Sequence, residues 1–149
     1  GYAADVRREK SIAKAVAKLT YAFANANVPK VNVITGEAYG SAYVTMNSKA
    51  LGADVTYAWP DASIGMMDAN EAAKIMYADD IAKSADVQSV ISEKAAEYAA
   101  LQSGVESAAA RGYVDTIINP EDTRKYVAAA FEMLYTKRED RPDKKHGTV

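Results

Sequence analysis

The sequence predicts an α/β fold with parallel strands, and three observations carry that reading. Helix-periodic and strand-like segments alternate along the first half of the chain. Lys30 to Thr35 is an apolar run, with Val31, Val33 and Ile34, that passes through a glycine turn into an alanine-rich helix start. The 149 residues, 49% of them hydrophobic, are enough for one domain with a filled core.

Taken in order, Lys10 to Asn25 carries Ile12, Val16, Leu19 and Phe23 at helical spacing, and Pro29 breaks the pattern before the first strand. Gly36 and Gly40 punctuate the turn, and Ser41 to Ala50 reads as a helix. Asp54 to Ala58 is a second strand ending at Trp59-Pro60, and Ser63 to Met66 a short third one. Asp68 or Asn70 then caps a helix through Tyr77. Asp86 to Ser103 places Val87, Ile91, Lys94, Tyr98 and Leu101 on one stripe and stops at Gly104. A short helix over Val105 to Ala110 and an edge strand over Tyr113 to Ile118 follow. Asn119-Pro120-Glu121-Asp122 opens a last helix that shows Val127, Phe131 and Leu134. About three short strands must therefore shelter four or five amphipathic helices, so the sheet reads as incomplete. Lys137 to Val149 is a mixed-charge tail that reads as a solvated terminus.

Composition excludes several classes of function. A net charge of −2 gives no basic footprint for nucleic acid. The absence of cysteine removes disulfides, thiolate catalysis and zinc–sulfur sites, and fits a cytoplasmic setting. No apolar run approaches the ~18 residues of a membrane span, and the charged stretch Gly1 to Lys10 is not a cleavable signal. The sole histidine, His146, lies in the basic tail and makes a poor general base, so a Ser-His-Asp triad and a nucleophilic Ser41 are not expected. Walker, dinucleotide and zinc-protease spacings are missing. Asp54, Asp61, Asp68 and the pair Asp79-Asp80 show no spacing that separates acid–base work from caps and surface charge.

What remains is backbone chemistry. Free amides at a helix N-terminus, aided by its dipole, stabilise a negative oxygen without titrating. In this chain those amides belong to Ser41 and Ala42. The same pattern also suits an ordinary strand–turn–helix crossover.

Three motifs in one order carry a resemblance: VPKVNVITGEAYGSAYVTMNSKALGADVTYAWP at 28–60, RGYVDTIINPEDTR at 111–124 and KREDRPDKKHGTV at 137–149. Together they resemble the C-terminal portion of the carboxyltransferase subunit of biotin-dependent acyl-CoA carboxylases and decarboxylases, of the propionyl-CoA carboxylase beta-chain type. The family's usual turn is AYGGAY, and here Ser41 replaces a glycine; Val44 stands where carboxylase members often have aspartate, and Asp68 where many have glycine. A serine held at positive φ would be strained.

The resemblance implies a partial crotonase-like ββα spiral domain, with residues 1–149 as the C-terminal part and its first strands upstream of Gly1. It implies an enzyme of acyl-CoA and fatty acid metabolism that moves a carboxyl group between biotin and an acyl-CoA. Two backbone oxyanion holes from two related domains would stabilise the charge that develops. This chain would supply the biotin-side hole from the N–H groups of Ser41 and Ala42, with Gly40 shaping the turn and Tyr39, Tyr43 and Val44 lining the pocket. For the tyrosines, core packing remains the alternative. The implied cofactor is biotin on a biotin carboxyl carrier protein, with acyl-CoA as substrate and no metal in this chain. The implied partners are a biotin carboxylase subunit and further copies of the chain, a hexamer in the family, with no nucleic acid and no membrane insertion. These residues alone are expected to be inactive. The alternative readings are a non-catalytic oligomerisation module and the alpha subunit of a biotin-dependent decarboxylase, whose members the segment Met46 to Asp54 slightly favours.

Overall fold

The computed structural model describes residues 12–143 and Gly147; the charged stretch Gly1 to Lys10 and His146 lie outside the described residues. Helix α1 spans Ile12–Asn25, as its periodicity requires, yet buries no residue completely. Lys30 closes its end: the Lys30 ammonium donates to the Phe23 carbonyl at 2.9 Å, satisfying one of the last-turn carbonyls that a helix leaves without a partner.

Strands β1 (Val31–Ile34), β3 (Val55–Ala58) and β5 (Thr116–Ile117) form one parallel sheet in the order β1-β3-β5, with Val31 opposite Val55 and Tyr57 opposite Thr116. All four residues of β3 are buried, as expected of a central parallel strand covered on both faces. Alternation divides them. Val55 and Tyr57 join Ile118 and Ala130 on one face, where Val31 and Val33 also pack; Ala58 and Ile34 join Val105, Ala108 and Val114 on the other. Helix α7 (Thr123–Met133) covers the first face and α6 (Val105–Ala110) the second. Burying a side chain such as Ile34 contributes about 1.5–3 kcal/mol, so this two-sided sheet is the centre of stability.

Beside it lies a second parallel pair that the sequence reading did not contain. Strand β2 (Glu37–Tyr39) pairs with β4 (Ser63–Gly65), with Tyr39 opposite Gly65. The segment between Gly36 and Gly40 is therefore a short strand, not turn throughout. Helix α2 begins at Gly40, as expected, but ends at Thr45 rather than Ala50. Asn47 turns to φ +58, and Ser48 then starts a separate 3-10 turn over Lys49–Leu51. Asn and Ser compete for backbone hydrogen bonds in this way, which outweighs the apolar composition.

Asp68 caps helix α3 (Ala69–Met76) by accepting from the Asn70 and Glu71 amides at 2.9 and 3.2 Å. A further helix, α4 (Ala78–Lys83), had no apolar signature to reveal it. The long helix expected from Asp86 divides into α5 (Val87–Tyr98) and a π-helical turn over Ala99–Ser103. Of the expected stripe Ile91 is buried, while Val87 and Leu101 are exposed; Ala95, which was not on it, is the other buried residue of the helix. In α7, Ala130 is buried and Phe131 exposed. The Asn119 side chain makes no cap; instead Thr123 Oγ1 donates to the Pro120 carbonyl and accepts from Trp59 Nε1.

Of the tail, Lys137 is anchored rather than solvated. Its ammonium bonds Asp54 at 2.8 Å and the Val28 carbonyl at 3.3 Å, and Glu139 bridges it to Arg141.

Candidate functional site

A cavity of about 790 Å³ opens where β1 runs through β2 into α2. Its wall includes Tyr39, Gly40, Ser41, Ala42 and Tyr43. The β2–β4 register brings Met66, Met67 and Asp68 to the same wall, directly beyond Gly65. The sequence pointed to the turn but not to Glu37, Met46 or the Met66–Asp68 wall, the last of which only the pairing of β2 with β4 brings there.

Gly40 makes the change of direction possible. It adopts φ +59, and a Cβ at that position would lie 3.1 Å from the Met66 carbonyl oxygen. Both the dihedral and the close approach require glycine. Tyr39, in extended conformation, provides the N-cap backbone, so the amides of Gly40, Ser41 and Ala42 precede the first bond inside the helix and have no acceptor within it. Ser41 carries none of the strain that its substitution suggested, because Asn47 is the one non-glycine residue at positive φ among the described residues. The demand for glycine falls on position 40.

The other members differ in how they meet the cavity. The Tyr39 ring packs against Gly65, whose Cβ would stand 3.7 Å from it. Tyr43 packs on the cluster of Ile34, Ala58 and Val105, and its hydroxyl is buried with no hydrogen-bond partner among the described residues. Burial, with a smaller contribution from Tyr113, pushes its ionisation upward, so it stays neutral. Tyr43 thus serves the core as well as the wall. Val44 is not among the lining residues; its carbonyl accepts from Ser48 Oγ at 2.9 Å. Thr45 Oγ1 donates to the Ser41 carbonyl at 2.9 Å, fixing the far end of the helix.

No lysine, arginine or histidine among the described residues lines the cavity, whereas Glu37 and Asp68 both do. Among the described residues, no group of three or more His, Asp or Glu side chains could hold a metal ion, and no helix is long and apolar enough to cross a membrane.

Residues 1–149 match the family described as the carboxyl transferase domain from end to end. The chain belongs to that family. The carboxyl transferase domain is 52% identical over 133 residues to a Bacillus subtilis (strain 168) protein assigned as a propionyl-CoA carboxylase beta chain, covering 89% of this chain and 26% of the relative. It is 45% identical over 131 residues to the methylmalonyl-CoA carboxyltransferase 12S subunit of Propionibacterium freudenreichii subsp. shermanii, covering 88% and 25%. The crystal structure of transcarboxylase 12S, a hexamer assembly with methylmalonyl-coenzyme A and methylmalonic acid bound, superposes with a TM-score of 0.88 at 41% identity. That match covers 98% of this chain and 28% of the other. The carboxyl transferase domain thus spans about a quarter of the length of the curated relatives it matches. The resemblance drawn from the three motifs is borne out, and so is the α/β, partial crotonase-like architecture with parallel strands.

Proposed function

We propose that this chain forms the biotin-side half of the active site of a biotin-dependent acyl-CoA carboxyltransferase, cytoplasmic and homo-oligomeric. The reading is supported by the cavity wall, where Ser41 and Ala42 follow a glycine at φ +59 and no cationic side chain lies among the described lining residues. Bound biotin, held on a carrier protein and loaded by a biotin carboxylase subunit, would supply the atom from which the carboxyl group is passed to or from an acyl-CoA. The donor set fits it, since a ureido ring is neutral and offers a carbonyl oxygen.

The chain's own residues then have separable roles. The Ser41 and Ala42 amides hold negative charge on that oxygen, and do so more strongly as the charge grows. Gly40 sets their direction, Tyr39 gives the ring an apolar wall, and Tyr43 supports the turn from the core; Val44 contributes through helix α2 rather than by lining the cavity. Self-association is supported by helix α1, whose Ile12, Val16, Leu19 and Phe23 are incompletely covered.

The test is Ala42→Pro in the full-length protein, which removes one amide donor near the helix start, where proline is best tolerated. With circular dichroism showing an intact fold, kcat for carboxyl transfer should fall about 10²–10³-fold while acyl-CoA affinity holds. A change in affinity alone overturns the proposal.

A further inference from the structure

We infer that Thr45 is a positioning residue for carboxyl transfer, acting through the peptide group that joins Ser41 to Ala42, a role that rests on the proposed reading of the Ala42 amide as a donor to developing charge. Thr45 is buried at the last position of α2, and its Oγ1 donates to the Ser41 carbonyl at 2.9 Å, with a longer approach of 3.4 Å to the Ala42 carbonyl. The Ser41 carbonyl and the Ala42 N–H belong to one peptide group. That group is planar and trans, so the two bonds point in opposite directions. Holding the carbonyl along the helix toward Thr45 therefore holds the N–H toward the helix start, where Gly40, Ser41 and Ala42 line the cavity. Helix α2 has only six residues, with Gly40 at φ +59 at its first position and Asn47 at φ +58 just beyond its end. A helix this short has few backbone bonds to fix its first peptide planes. A threonine hydroxyl bonded four residues back ordinarily weakens a helix slightly. Here the carbonyl it engages is the reverse side of an amide proposed to meet the reacting oxygen.

Two variants separate the hydroxyl from the shape of the side chain. Thr45→Val keeps the branched shape and removes the hydroxyl, whereas Thr45→Ser keeps the hydroxyl and drops the methyl group. The experiment measures carboxyl transfer by the full-length protein, with propionyl-CoA as the probe substrate and circular dichroism to show an intact fold. Thr45→Val should lower kcat about tenfold at unchanged acyl-CoA affinity, a part of the roughly 10²–10³-fold expected for losing a donor outright. Thr45→Ser should retain most of the rate. A packing role gives the opposite order, with serine the poorer variant. Thr45→Ala also lacks the hydroxyl and relieves any misfit of valine, so it should lose kcat as valine does. In the Ala42→Pro background, Thr45→Val should lower kcat no further, because the amide it positions is already gone. A full rate in both Thr45→Val and Thr45→Ala, a loss in Thr45→Ser as deep as in Thr45→Val, or an additive loss in the double variant overturns the inference and leaves the assigned site standing. A full rate in Ala42→Pro, or no carboxyl transfer by the unmodified protein, overturns the reading of the site itself.

Discussion

The ammonium of Lys137 sits 2.8 and 2.9 Å from the two carboxylate oxygens of Asp54, across 83 residues of chain. Asp54 also accepts the Lys30 amide at 2.7 Å, so one carboxylate ties the end of the chain to the start of two adjacent strands. The pair is largely shielded, at 12% and 20% side-chain exposure, which distinguishes it from surface ion pairs of small effect. Lys137→Met should keep the aliphatic stem and lower stability by about 1.5–3 kcal/mol, the usual range for a hydrogen bond to a charged group. Urea unfolding measures it, and an unchanged midpoint would show the tail to be incidental.

The same carboxylate predicts an acid limb. Burial alone would raise the Asp54 carboxyl, but the Lys137 hydrogen bond, the Lys30 amide and both ammonium charges hold it below its ordinary value. Asp115 is lowered likewise, against burial, by Lys49 at 2.6 Å and the Thr56 amide at 2.8 Å. Carboxyls depressed by folding stabilise the chain above their unfolded value, about 3.9, and lose that contribution as pH falls through the folded one. Thermal midpoints should therefore decline steeply below about pH 4, and Lys137→Met should flatten the decline. At the alkaline end two effects oppose each other. The Asp54 bond raises Lys137, whose contribution fades above 10.5, while burial lowers Lys30, whose cost eases as pH rises toward 10.5. Only the acid limb gives a clean reading.

Gly40 and Gly36 frame β2 but are not equivalent. Gly40→Ala introduces a Cβ at φ +59 and 3.1 Å from the Met66 carbonyl, and should cost about 2 kcal/mol. Gly36→Ala meets nothing within 4 Å and should change stability by less than about 0.5 kcal/mol. Matched urea titrations of the two variants decide it; equal effects would show that the turn tolerates a side chain at position 40.

Much of the fold was legible where one local signal dominated. The apolar run at Val55 to Ala58, the boundaries of Val105 to Ala110 and the Asp68 cap all reappear in the structure. What stayed hidden depended on contacts between distant segments. Glu37-Ala38-Tyr39 is a strand only because Ser63-Ile64-Gly65 lies beside it. Phe131 and Leu101 looked like core on spacing, but the helices meet their neighbours through Ala130 and Ala95, which let the backbones approach closely and leave the larger side chains outside. In the site, the glycine turn was visible, whereas the Met66 carbonyl that constrains it and the carboxylates that charge the cavity were not.

The strand order β1-β3-β5 also dictates a sequence of assembly. Lys30 and Asp54 meet across 24 residues, Thr56 and Asp115 across 59, and Asp54 and Lys137 across 83. Each doubling of a loop adds only about 0.6 kcal/mol of closure entropy, so the three steps differ less in energy than in when the second partner exists. As the chain is synthesised, the turn at Gly40 and both strands that flank it can close while β5 and Lys137 are still unmade. Within these 149 residues, the segment proposed to do the chemistry can therefore close before the Lys137 clasp that secures it has been made.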